Sequence, residues 1–204
     1  FKPVVDACTL CDMCYMTKCP YVPPHEFNID FPHLMLRYRA IQFKNGEIPF
    51  VNKELTKTDR NGKAFGKIAS IVNWGSNVEN SLSRKVLETT CDVHRDASLP
   101  KFHKKTFLEI DKNETPRLNS EAPGYGRKAA IYATCFVNYN NPSIGISAVE
   151  VLNRNGVKTE VVYPSCCGMP QLEQGNITEV AKSAENVAKE LRHWVDEGND
   201  IIAL

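Results

Sequence analysis

Eight cysteines in 204 residues, four of them between positions 8 and 19 and two adjacent at 166 and 167, constrain this chain more than any other feature. Adjacent cysteines and closely spaced triplets make poor disulfides, because a bridge needs facing Cβ vectors and a narrow range of Cα separations. The same spacing suits a metal, since a short loop can aim several soft thiolates at one point. A disulfide scaffold would instead spread its cysteines over a small core. The pattern therefore predicts metal ligation in a reducing compartment.

Composition sets wider limits. With 42% hydrophobic and 24% charged residues, the chain can build one sizeable core or two modest ones. A net charge of +1 with scattered lysines provides no field for steering nucleic acid, so no nucleic-acid partner is expected. No apolar run approaches the roughly eighteen residues of a membrane span. The chain opens at Phe1 without a charged-then-apolar leader and stops inside the apolar run Ile201-Ile202-Ala203-Leu204, so it is read as a piece of a longer protein.

Three segments follow from the pattern: 1–47, cysteine-rich; 48–126, a helical connector; and 127–204, alternating strands and helices. In the first, Pro32 and the apolar positions Leu34, Leu36, Tyr38 and Ile41 predict a helix from Phe31 to Phe43. In the second, Ala64 to Trp74 reads as one amphipathic helix with Phe65, Ile68 and Val72 on a shared face, and Leu82 to Thr90 as a short helix. Trp74 and that face are weighed as a membrane or partner contact against ordinary packing, which is the stronger reading.

In the third segment Lys128 to Val137 reads as a strand, and Ser143 to Asn155 as a helix capped by Ser143 and stopped by Gly156. Val157 to Tyr163 is a second strand. Asn176, with Glu179 three residues on, opens a helix through Glu197, and Asp200 to Leu204 begins a third strand. Strand, helix, strand, helix, strand implies right-handed crossovers and a doubly wound parallel sheet; no internal repeat is evident. The fold class expected is α+β overall: an N-terminal helical ferredoxin-like iron–sulfur domain, then an α/β domain with an incomplete parallel sheet.

The chemistry lies in two constellations. Cys8, Cys11 and Cys14 are separated by two residues each, a spacing that wraps a loop around a corner of an iron–sulfur cluster. Cys19 follows with Pro20, but four residues, not three, separate it from Cys14. Either the four cysteines complete one cluster, or Cys19 serves a second one, as the fourth cysteine does in two-cluster ferredoxins. Zinc is the bland alternative, although zinc knuckles usually pair two separated hairpins. The second constellation is Cys135, then thirty residues of strand and helix, then Cys166-Cys167-Gly168. Two neighbouring thiolates can bind different irons, and a glycine after them admits close backbone approach; two buried cysteines and a turn glycine are the plain alternative. Both positions fall at the carboxyl edge of the sheet, where α/β folds build sites. Asn138 and Asn140 are candidate hydrogen-bond donors to the ligand sulfur. Cys91 reads as an incidental thiol, and His25, His33, His94 and His103 as capping or packing residues ahead of ligands.

The stretch Cys135-Phe136-Val137-Asn138-Tyr139-Asn140-Asn141-Pro142, with Ser165-Cys166-Cys167-Gly168-Met169-Pro170 and Gly175, resembles the heterodisulfide-reductase-related group of CCG-domain iron–sulfur proteins. That group includes the iron–sulfur subunits of anaerobic glycerol-3-phosphate dehydrogenase and of glycolate oxidase. Leu99-Pro100-Lys101-Phe102 and the Cys19-Pro20-Tyr21-Val22-Pro23-Pro24-His25 exit fit as well. The resemblance implies [4Fe-4S] clusters held by Cys8, Cys11, Cys14, Cys19, Cys135, Cys166 and Cys167. It implies an electron relay from a flavin dehydrogenase or other redox partner toward quinone, cytoplasmic and in peripheral contact with the inner face of the membrane. Two other readings are carried: a heterodisulfide-reductase-like thiol–disulfide reductase, and a colourless zinc or interaction module.

Overall fold

The computed structural model describes residues 1–17, 19–112 and 117–204; Lys18, inside the cysteine run, and residues 113–116 of the connector lie outside them. The elements in chain order are α1 (Lys2–Ala7), α2 (Met13–Met16), α3 (Phe31–Lys44), α4 (Phe50–Leu55), α5 (Thr58–Lys67), α6 (Ala69–Ser76), α7 (Ser81–Cys91), α8 (Phe107–Asp111), β1 (Lys128–Tyr132), α9 (Cys135–Tyr139), α10 (Pro142–Arg154), β2 (Lys158–Val162), α11 (Met169–Glu173), α12 (Ile177–Asp196) and β3 (Asp200–Ala203). The fold is mixed helix with one small parallel sheet. The chain divides into two compact units, residues 1–57 with 168–183 and residues 58–167 with 184–204.

The first unit is built on α3. Asp30 caps it by accepting from the His33 amide at 3.0 Å, and Pro32 occupies a first-turn position where no amide hydrogen is needed. Val5 and Met35 are fully buried. Arg39 on α3 ties the unit together, its guanidinium donating to the carbonyls of Val5 at 2.7 Å, Cys8, and Glu173 at 3.1 Å. Gly175 presses on the same helix: at φ +79° it takes a left-handed backbone, and a Cβ there would lie 2.4 Å from the Arg39 carbonyl.

The second unit carries the sheet, ordered β2-β1-β3 with parallel pairing throughout. Ile131 of β1 stands between Val161 of β2 and Ile202 of β3. The central strand is therefore paired along both edges, and its run Ala129-Ala130-Ile131-Tyr132 is buried continuously without alternation, the pattern of a strand covered on both faces. Phe107, Ile131, Ala133, Val137 and Val149 form the core. Gly145 on α10 makes room for the Phe107 ring, since a Cβ there would come within 2.5 Å of it. Away from the sheet, the buried Arg84 donates to the carbonyls of His94 and Ala97 at 2.7 Å, Arg95 at 2.8 Å and Ser76 at 3.3 Å, closing the loop after α7.

Several expectations need correction. β1 ends at Tyr132, not Val137, because Thr134 caps a new helix by accepting from the Val137 amide at 3.4 Å; the β-branched and aromatic residues after it are helical. The helix after it is capped at Asn141, one residue before Pro142, and Ser143 donates to the Asn141 side chain at 2.6 Å. The segment from Ala64 to Trp74 is two helices, broken at Ile68 (φ −119°, ψ 32°), so Phe65 and Val72 do not share one helical face. Phe65 packs edge-on to Phe102 at 5.2 Å, while Trp74 is 68% exposed.

Candidate metal centre

In the first unit the cysteine loop runs between α1 and α2 through two left-handed residues, Leu10 (φ 52°) and Asp12 (φ 61°), conformations that non-glycine residues seldom adopt. This turns backbone amides onto sulfur. The Leu10 amide points at the Cys8 sulfur at 3.4 Å. The Met13 amide, aided by the Thr9 side chain, holds the Cys11 thiol below its ordinary range. Cys8, Cys11 and Cys14 line one hollow of about 540 Å³, walled by Pro3, Val4, Ala7, Thr9 and Phe31. Cys19 lines another, of about 610 Å³, with Tyr15, Pro20, Val22, Pro23, Pro24 and His25. His25 packs against Tyr21 and Phe27, at 5.4 and 4.7 Å between ring centroids.

In the second unit the thiols gather at the carboxyl end of β1 and β2. Cys135 is the first residue of α9, and the Cys166 sulfur lies 3.7 Å from its sulfur. Cys166 is buried and Cys167 exposed. The Cys166 thiol, and secondarily the buried Thr58 hydroxyl, which finds no partner of ordinary hydrogen-bond geometry among the described residues, favour the Cys135 thiolate; against burial they bring Cys135 down to about 7. Gly168 follows at φ +93° as the N-cap of α11, where a Cβ would lie 3.2 Å from the Val180 Cα.

Tyrosines wall this site. Tyr132, the last residue of β1, and Tyr163, one residue past the end of β2, stack at 6.2 Å, and Tyr139 meets Tyr163 edge-on at 5.8 Å. The Tyr132 hydroxyl donates to the Ser165 carbonyl at 2.7 Å, and the Asn186 amide group donates to the Ser165 hydroxyl at 3.0 Å. Burial holds all three phenols above their ordinary range, Tyr139 at about 12 and the other two higher still. Asp59 on α5 reaches in, one carboxylate oxygen accepting from the Tyr163 hydroxyl and the other from the Cys166 amide at 3.0 Å.

The cysteines of both groupings are evident from the sequence alone, whereas Thr58, Asp59 and the tyrosines are not. Tyr132-Ala133-Thr134-Cys135 is echoed by Tyr163-Pro164-Ser165-Cys166, a local signal that could have flagged two of the rings. Of the two candidate donors, Asn138 accepts from the Leu108 amide at 3.2 Å through its side-chain oxygen, and the Asn140 amide group donates to the Lys101 carbonyl at 3.1 Å. Cys91 stands at the end of α7 beside the Thr90 hydroxyl. His33 pairs with Asp30, and His94 accepts from the Asp96 amide. Among the described residues no three His, Cys, Asp or Glu side chains converge as on a single ion. The donor chemistry fits a thiolate-held group at both places: three sulfurs border one hollow, and a close sulfur pair with a neighbouring third borders the sheet edge.

Residues 129–204 match the family described as CCG, a cysteine-rich domain. This segment is thus similar to a CCG cysteine-rich domain, and a longer stretch of the chain is similar to the oxidoreductase subunits below. It is 27% identical to a subunit of anaerobic glycerol-3-phosphate dehydrogenase from Escherichia coli K12 over 154 residues, 74% of this chain and 37% of that protein. It is 25% identical to a subunit of fumarate reductase (CoM/CoB) from Methanothermobacter marburgensis over 145 residues, 67% of this chain and 28% of that protein. Over 65 residues, 30% of this chain and 26% of that protein, it is 38% identical to lactate utilization protein A of Bacillus pumilus. The chain thus spans about 37% of the length of its dehydrogenase relative. No solved structure matches it significantly.

Proposed function

We propose that this chain is an iron–sulfur electron-transfer subunit that relays electrons between a flavin dehydrogenase partner and the quinone pool. The observation that carries the reading is the separation of the thiols into distinct groupings with amides turned onto sulfur, since such bonds tune cluster potentials. Cys8, Cys11 and Cys14 hold one [4Fe-4S] cluster within a helical, ferredoxin-type segment (1–47). Cys19, lining its own hollow, serves a second cluster. The connector (48–126) joins this segment to the CCG segment (127–204), where Cys135, Cys166 and Cys167 hold a further cluster. Each cluster supplies one-electron chemistry when bound; this chain's residues hold it, orient it and shield it. The relatives' names, two of them subunits of a dehydrogenase and a reductase, support a redox partner. A peripheral quinone contact on the inner face of the cytoplasmic membrane belongs to the same proposal; no helix among the described residues is long and apolar enough to cross a membrane.

The 3.7 Å approach of the Cys135 and Cys166 sulfurs favours one second reading, a thiol–disulfide reductase working at that pair. Iron and acid-labile sulfide analysis of anaerobically purified protein, with low-temperature EPR before and after dithionite, separates the possibilities. The relay predicts iron and sulfide in cluster ratio and reducible signals lost in Cys11→Ser and Cys167→Ser. Disulfide-dependent turnover would favour the reductase, and zinc without sulfide would refute both.

A further inference from the structure

We propose that Asp59, contributed by α5 ahead of the cysteine-rich domain, is a positioning residue of the Cys135, Cys166 and Cys167 site that lowers the reduction potential of the group held there. The effect on potential rests on the iron–sulfur reading above; the positioning of Cys166 does not. Asp59 lies outside residues 129–204, the part of the chain that matches the cysteine-rich family. Both carboxylate oxygens are engaged, one by the Tyr163 hydroxyl and the other by the Cys166 amide at 3.0 Å. The carboxylate is therefore held in place, not free to swing into solvent. Its helix is seated as firmly: Gly62, one turn on, lies so close to the Tyr139 ring that a Cβ would meet it at 2.4 Å.

Two effects follow, and they have the same sign. A carboxylate beside the sulfurs disfavours the extra negative charge of the reduced state. It also engages the amide of Cys166, withholding that donor from sulfur, where amide hydrogen bonds would favour reduction. Tyr163 is the steadying partner, because burial and the adjacent carboxylate keep its hydroxyl protonated and donating.

The test uses Asp59→Asn, Asp59→Ala and Tyr163→Phe in the full chain, with two readouts. In iron-loaded protein, EPR-monitored redox titration should show Asp59→Asn, which keeps an oxygen acceptor but loses the charge, favouring reduction by about tenfold, or about 59 mV for a one-electron step. Asp59→Ala, which also releases the amide, should shift further. In metal-free protein, hydrogen exchange at the Cys166 amide should be unchanged in Asp59→Asn, at least about tenfold faster in Asp59→Ala, and intermediate in Tyr163→Phe, whose ring still stacks on Tyr132. Potentials unchanged in both Asp59 variants with iron retained would overturn the electrostatic role and leave the relay standing. Wild-type exchange in Asp59→Ala would overturn the positioning role. Should Asp59→Ala fail to fold, Tyr163→Phe decides that arm, and unchanged exchange there refutes it. If the protein holds no iron, the relay fails and the exchange data alone decide Asp59.

Discussion

Gly62→Ala sets two effects against each other whose sizes decide the outcome. Within a helix, replacing glycine by alanine ordinarily stabilises by about 0.5–1 kcal/mol, through the entropy of the unfolded chain. At position 62 the new Cβ would lie 2.4 Å from two atoms of the Tyr139 ring and 2.8 Å from a third. The ring has little room to yield: Tyr139 is 5% exposed and its edge meets Tyr163 at 5.8 Å. Overpacking of a tight core costs about 1–3 kcal/mol, and a pinned ring puts this case at the upper end. The net expectation is a loss of about 2 kcal/mol, or about 4–8 °C in Tm for a chain of this size. Gly75→Ala is the control, since it is also helical but has open space around its Cβ, and it should raise stability by up to about 1 kcal/mol. Thermal and urea unfolding of metal-free protein, followed by circular dichroism, gives both values. A Gly62→Ala protein as stable as the wild type, beside a stabilised Gly75→Ala, would refute the packing of α5 on α9 and remove the support for Asp59's reach to Cys166.

Two further predictions concern the framework. Arg84→Met should cost at least about 3 kcal/mol in urea unfolding, because it strands the carbonyls of His94, Arg95 and Ala97, and Arg84→Lys should recover only part, an ammonium lacking the fork. Asp30 is held below the usual carboxylate range, first by the His33 amide and then by the His33 side chain. A depressed carboxylate stabilises the fold above its unfolded value of about 3.9 and loses that contribution as pH falls through its folded value; NMR titration should place the Asp30 midpoint below that of a model peptide, and Asp30→Asn should remove this component of acid unfolding.

The cysteine groupings and the alternation of strand and helix after residue 127 were legible because both are local. Thiols two residues apart, an asparagine three residues ahead of an acidic residue, and an apolar stripe at helical spacing each declare themselves within one or two turns of chain. The misreadings arose where a local signal was ambiguous. Phe136 and Val137 suit a strand or a helix, and only the Thr134 hydroxyl, accepting from the Val137 amide, settles the choice. Phe65, Ile68 and Val72 have helical spacing, yet the backbone at Ile68 leaves the helix.

Asp59 was illegible for a different reason. It is separated from Cys166 by 107 positions, and nothing around it in the chain hints at thiols. Ligand residues must recur at fixed spacings, because a metal imposes geometry on the loops that bind it. The residues that set the electrostatics of a site carry no such constraint, and any element that packs nearby can supply them. Two proteins with the same paired-cysteine motif can therefore hold the same group at different potentials, with the difference written in a helix that no motif includes. If Asp59→Asn shifts the potential here as expected, the residue packed over the cysteine pair becomes the position to compare among relatives before assigning any of them a place in an electron-transfer chain.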